Sequence, residues 1–236
     1  MSMPPWVEPP MPELPPAIGP GPSPFWPQHL VDLFFRPTHF FRENLALGKT
    51  PYVILVTWAL GIGAALDRID TRIMRAELTG DDRMRETIET LFRDWPSFWI
   101  IVAVSGAISG ALYWLIGGWW CKVRLRFSGA PDPDPRLARL LLIYASFVSA
   151  GPAIVGLVAL TWLYPSYLAA YEGESLFSVM VLVTLFWSLG TLYRGALALF
   201  PVQRGRAIVW FVVLPVLFYF LVMGGAAVLY AFADRA

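Results

Sequence analysis

Few side chains in this sequence are of a type that does chemistry, and their spacing narrows what that chemistry is. His29 and His39 are the only histidines; they sit in an aromatic stretch with no cysteine or paired acid at metal-ligand spacing, which predicts interfacial placement rather than ligation. Cys121 is the single cysteine, so an intrachain disulfide and a cysteine zinc cluster are both excluded. Beside Lys122 and Arg124 it could accept a fatty acyl chain, although an unmodified thiol is the simpler reading. The GxSxG, HExxH and P-loop patterns are absent, so the common hydrolase, metalloprotease and nucleotide-binding readings lack support. The expectation is a chain with no catalytic residue, no cofactor and no bound metal.

The elements that would carry any site are set by composition. Hydrophobic residues make up 57% of the chain and charged residues 15%, with a mean hydropathy of +0.57. Soluble domains hold about 25% charged residues, so this chain has too few to coat a surface in water. Continuous apolar runs of helix length, rather than alternating ten-residue segments, exclude a β-barrel. A net charge of +1 argues against nucleic acid as a partner. The fold expected is an all-α membrane protein, a bundle of five transmembrane helices at about 51–66, 97–120, 137–164, 175–200 and 207–232.

Around that bundle, residues 1–28 hold 11 of the 21 prolines and no Lys or Arg, which predicts a disordered or extended tail. Residues 29–47 place Leu30, Leu33, Phe34, Pro37, Phe40, Phe41 and Leu45 on one helical stripe. That pattern suits an amphipathic helix in the headgroup plane, with Phe34, Phe35, Arg36, Phe40, Phe41 and Arg42 as lipid contacts; a helix packed on the bundle fits the stripe equally. Pro37 would break this helix or start a second one. Residues 67–95 carry six Arg and eight acids and read as a charged amphipathic loop, with Thr79 and Asp82 as a capping box. The segment 48–236 forms the transmembrane domain.

Inside the spans, no Asp, Glu or His is expected, which demotes an ion-coupled carrier. Arg139 and Arg194 lie near span ends, where they can snorkel. Ser105, Gly106, Ser109 and Gly110, with Gly224 and Gly225, are small residues suited to close helix packing or a partner contact. Gly151 and Pro152 mark a helix break in the third span. Eleven Lys and Arg fall on one set of connections and seven on the other, which orients the N-terminus inside and the C-terminus outside. Arg outnumbers Lys sixteen to two, a composition that hints at a bacterial inner membrane.

With these parts placed, the chain resembles the Yip-domain family, the Ypt/Rab-interacting proteins and their bacterial relatives. The resemblance rests on the DLFFRPTHFF segment after a proline-rich tail, on Gly117–Gly118 closing the second span, and on Tyr144–Ala145–Ser146 with Pro152 downstream. It covers roughly residues 30–230 and implies a multispan protein of membrane organisation, trafficking or partner recruitment, without a catalytic centre. Asp32–Leu33 and Pro37 only echo the eukaryotic Asp-Leu-Tyr-Gly-Pro motif, so Rab binding is not carried over. The function expected is a non-enzymatic integral membrane scaffold or accessory subunit, with membrane lipids and a protein partner or a second copy as its companions. The alternative is a small permease or channel for a neutral or lipidic solute, with a cavity lined by Tyr144, Ser146, Ser149 and Thr161 near the broken third helix.

Overall fold

A computed structural model describes residues 27–50, 52–173 and 175–233, and every regular element among them is helical. The proline-rich stretch expected at 1–28 lies almost entirely outside the described residues. Helix α1 (Pro27–Phe35) stops at Arg36, whose backbone is non-helical (φ −130°, ψ 54°), as the ring of a following proline favours. Pro37 then opens α2 (Pro37–Phe40), which runs on through a π turn at Phe41–Leu45. The proline both breaks one helix and starts the next.

Helix α3 (Val53–Thr79) continues well past its apolar half and ends at Gly80, whose φ of +62° lets its N–H bond to the Ala76 carbonyl. The expected Thr79–Asp82 capping box does not form. The Thr79 hydroxyl donates back to the Arg75 carbonyl, and Asp81 caps α4 (Asp82–Leu91) by accepting from the Arg83 and Met84 N–H groups at 3.1 Å. Asp94 and Asp134 do the same for α5 (Trp95–Leu112) and α7 (Pro135–Leu163), accepting from Ser97 N and Arg136 N at 2.8 Å. Helix α5 passes through a π turn at Tyr113–Gly117 into α6 (Gly118–Phe127), so the helix runs on past residue 120, where the second span was expected to end. The rest is α8 (Tyr167–Gly173), α9 (Ser175–Leu199), α10 (Arg204–Ile208), a π turn at Val209–Val213, and α11 (Leu214–Ala233).

Among the described residues, four helical stretches are long and apolar enough to cross a membrane: Trp95–Phe127, Pro135–Leu163, Val179–Leu199 and Arg204–Leu221. Five were expected. The missing one is α3, whose length suffices but whose apolar half runs directly into Asp67, Arg68 and Asp70.

The predicted break at Gly151 and Pro152 is also corrected, because α7 is helical throughout its 29 residues. A proline withdraws its own N–H but holds φ at a helical value, and packing can carry the loss. Ala150 and Ala153 on either side are buried, and the missing side chain of Gly151 leaves room for the Phe147 ring, 3.2 Å from where a Cβ would stand.

Two apolar cores form at opposite ends of the helices. One gathers Leu33, Phe40 and Phe41 of the N-terminal hairpin with Cys121, Leu141, Tyr144, Ala196 and Phe211. The other gathers Ile69, Ile73, Ile88, Phe92, Trp95, Phe98 and Tyr167. Helix α3 contributes Val56 and Leu60 to the first and Ile62 to Ala76 to the second, and between them it crosses α5 backbone to backbone. A Cβ built on Gly61 would stand 1.9 Å from the Gly106 carbonyl oxygen and 2.5 Å from Gly110 N. Gly106 and Gly110 meet Ile62 and the Thr57 carbonyl in return, at 2.8 and 2.7 Å. Gly61→Leu is therefore expected to cost about 3 kcal/mol or more, because a rigid backbone faces the new side chain. Thermal unfolding in detergent checks this; a midpoint within a degree or two of the parent would refute the contact.

Candidate functional site

The small-residue stripe on α5 faces α3 of the same chain. Gly106 and Gly110 form that crossing, Ser105 donates to the Ile101 carbonyl at 2.5 Å, and Ser109 is buried where the Arg68 guanidinium reaches its hydroxyl at 3.2 Å. Trp58 closes the edge by donating Nε1–H to the Ala103 carbonyl at 3.0 Å. Because Gly110, Ala107 and Ala111 are small, a groove of about 680 Å³ opens beside the crossing, walled by Val53, Ile54, Trp58 and Trp114.

The six hairpin residues expected to touch lipid divide. Arg36, Arg42 and Phe35 are exposed, and Phe34 is partly buried. Phe40 and Phe41 are only 2% and 0% exposed, and they belong to the protein core. The Phe40 ring lies 5.4 Å from that of Tyr144, and Phe41 lies over Gly195, where a Cβ would come within 2.5 Å of it. The stripe was legible, but an amphipathic pattern does not say whether lipid or protein meets the apolar face. Trp187 of α9 fixes the outer edge by donating to the Phe34 carbonyl at 2.9 Å while Phe35 packs edge-on against its ring.

The remaining predicted residues stay apart. Gly224 and Gly225 on α11 have open space where a Cβ would stand. Tyr144, Ser146, Ser149 and Thr161 do not share a cavity. Tyr144 packs on Phe40, Ser149 donates to the Ser146 carbonyl, and Thr161 accepts from Trp99 Nε1–H at 3.3 Å. Tyr144 and Thr161 are about 25 Å apart along α7 at ~1.5 Å per residue.

Two polar arrangements went unread in the sequence. The first is Asp70, in the stretch read as a charged amphipathic loop and here the second half of α3. The Tyr167 hydroxyl donates to it, and Tyr167 stacks on Phe98 with centroids 4.2 Å apart. Trp95 completes the node by donating to the Tyr164 carbonyl at 2.8 Å. Burial raises the Asp70 carboxyl to about 6, with the charge of Asp67 adding and the Tyr167 hydrogen bond opposing. Ile69, Ile73 and Ala76 at helical spacing around Asp70 were the available signal.

The second is Arg124, which is 7% exposed. Its Nε donates to the Trp210 carbonyl at 2.9 Å and its guanidinium carbon lies 4.4 Å from the centroid of the Phe211 ring, while Nη2 is buried without a partner. Groups of three or more residues able to hold a metal are absent among the described residues.

No protein-family model, curated protein or solved structure matches this chain. The resemblance to Yip-domain proteins therefore rests on the motifs quoted above.

The Asp70 environment predicts a pH dependence with a defined sign. The folded protein holds this proton up to about pH 6 and the unfolded chain only to the ordinary value of 3.8, so stability rises as pH falls from about 6 to about 4 and is flat above. The swing is about 3 kcal/mol, at ~1.4 kcal/mol for each tenfold change. Asp70→Asn should remove that part of the profile. Identical pH profiles for the two proteins in detergent would refute the assignment.

Proposed function

We propose that the chain is a non-enzymatic integral membrane scaffold or accessory subunit that packs against a protein partner, or a second copy, within the membrane. The observation that carries this reading is α11. In Arg204–Leu221 only 11% of the residues are buried within the chain, and Leu217, Phe218, Phe220 and Leu221 all face outward. Lipid alone would satisfy those side chains. It gives no reason for Gly224 and Gly225, which cost helix propensity and where an added Cβ would meet nothing among the described residues, whereas a facing helix would use them for close approach.

On this reading α3 is a fifth crossing. Like α5–α6 and α7 it runs from one core to the other, and its charged residues begin only in its second half. Arg36, Arg42, Lys49, Lys122, Arg126, Arg136, Arg139, Arg194, Arg204 and Arg206 belong to elements at the hairpin end. That end is then cytoplasmic and the C-terminus lies outside, in a bacterial inner membrane. The membrane-organising role implied by the Yip-domain resemblance fits the same picture.

Gly224→Leu combined with Gly225→Leu should weaken association with a co-purifying partner or second copy about tenfold, equivalent to ~1.4 kcal/mol. The chain's own thermal midpoint should not move, because a side chain at these positions would meet nothing among the described residues. An unchanged size in mild detergent, by light scattering and native gels, would overturn the proposal.

A further inference from the structure

We propose that the crevice between the N-terminal hairpin and α9 binds a phosphate group, delivered by the headgroup of an anionic phospholipid. The crevice has a volume of about 230 Å³, room for a phosphate and the start of its glycerol, and its walls include Pro37, Trp187, Gly190, Thr191 and Arg194. The four α9 residues recur at helical spacing and form one stripe facing the hairpin.

Three features of that stripe suit an anion. Thr191 is 2% exposed and its hydroxyl has no hydrogen-bond partner, whereas Thr57, Thr71 and Thr184 donate to a carbonyl one turn back. An orphaned buried hydroxyl is costly, and one χ1 rotation turns it toward the crevice. Arg194 forms no ion pair with a described carboxylate, so its guanidinium is free to bind a phosphate through two parallel N–H···O bonds. At Gly190 a Cβ would meet nothing within 4 Å, which leaves the space beside the donors open.

Depth selects a lipid over a soluble anion. Arg194 lies about a turn and a half before the end of α9, a position from which its side chain reaches headgroup level. Trp187 stands about two turns deeper on the same stripe with Phe35 of α1 packed on its ring, both exposed, where acyl chains would begin. The Trp187 N–H is already engaged by the Phe34 carbonyl, so this lower wall is apolar toward a ligand. A cation and a hydroxyl above an aromatic wall match an amphiphile with a negative headgroup, as in other basic pockets between membrane helices.

The test uses the full chain, delipidated in neutral detergent, with phosphatidylglycerol, phosphatidylcholine or inorganic phosphate added. Native mass spectrometry and thermal unfolding report retention. Phosphatidylglycerol should be retained and raise the midpoint. Arg194→Gln should lower retention about tenfold and Thr191→Val several-fold, with the lipid-free midpoints unchanged. Gly190→Leu should expel the lipid while the protein stays folded, and Arg204→Gln, outside the crevice, should bind as the parent does. Phosphatidylcholine held as tightly as phosphatidylglycerol, or equal losses in Arg204→Gln and Arg194→Gln, would overturn the site. Inorganic phosphate matching the lipid would overturn the lipid as its source.

Discussion

Between α3 and α5 the backbones touch, and the rest of the molecule is arranged around that contact. Helices in lipid gain little from hiding apolar surface, because the solvent is apolar too, so they associate through close packing and hydrogen bonds. Gly61 supplies the closeness by fitting between Gly106 and Gly110. The closeness then makes the hydrogen bonds reachable: Trp58 to the Ala103 carbonyl and Arg68 to Ser109. Beyond the crossing, the second half of α3 lies over the start of α5, where Phe98, Trp95 and Tyr167 close around Asp70. The small residues that permit the crossing also leave the outward groove beside it.

The N-terminal hairpin obeys the same constraint from the other side. Phe41 enters the core only because Gly195 has no side chain; a Cβ there would also strike Leu141 at 2.5 Å. With Phe40 against Tyr144, the hairpin plugs the end of the α7–α9 pair instead of floating on lipid. Its remaining surface leaves Arg36, Phe35 and Arg42 exposed. Aromatic anchors thus do two jobs on one short segment, divided by which face of the helix they occupy.

Period and length were readable from the sequence; partnership was not. The stripe of Leu33, Phe40, Phe41 and Leu45, and the helical runs after residue 95, follow from spacing alone. Gly106 and Gly110 were recognisable as contact residues, but a short glycine pattern does not say whether the facing helix belongs to the same chain. Gly61 is its partner, and nothing in the spacing of the first span singles it out. Asp70 was hidden by its neighbours, because a run of charges raises the mean polarity of a segment whatever one buried member does. The same charges leave α3, whose apolar half was counted as the first span, outside the helices apolar enough to cross.

Arg124 shows how such a long-range partnership arises from a local defect. In the π turn at Val209–Val213 the Leu214 N–H bonds to the Val209 carbonyl, five residues back. Continuing that spacing, the N–H owed to the Trp210 carbonyl belongs to residue 215, which is proline and has none. An unsatisfied carbonyl in an apolar setting is costly, and Arg124 Nε supplies the missing donor from a different helix. The guanidinium over Phe211 and the Phe127–Trp210 stack, with centroids 4.7 Å apart, hold that donor in place. Read this way, Pro215 and Arg124 form one unit, and the burial of a cation near the end of α6 follows from a proline more than eighty residues later.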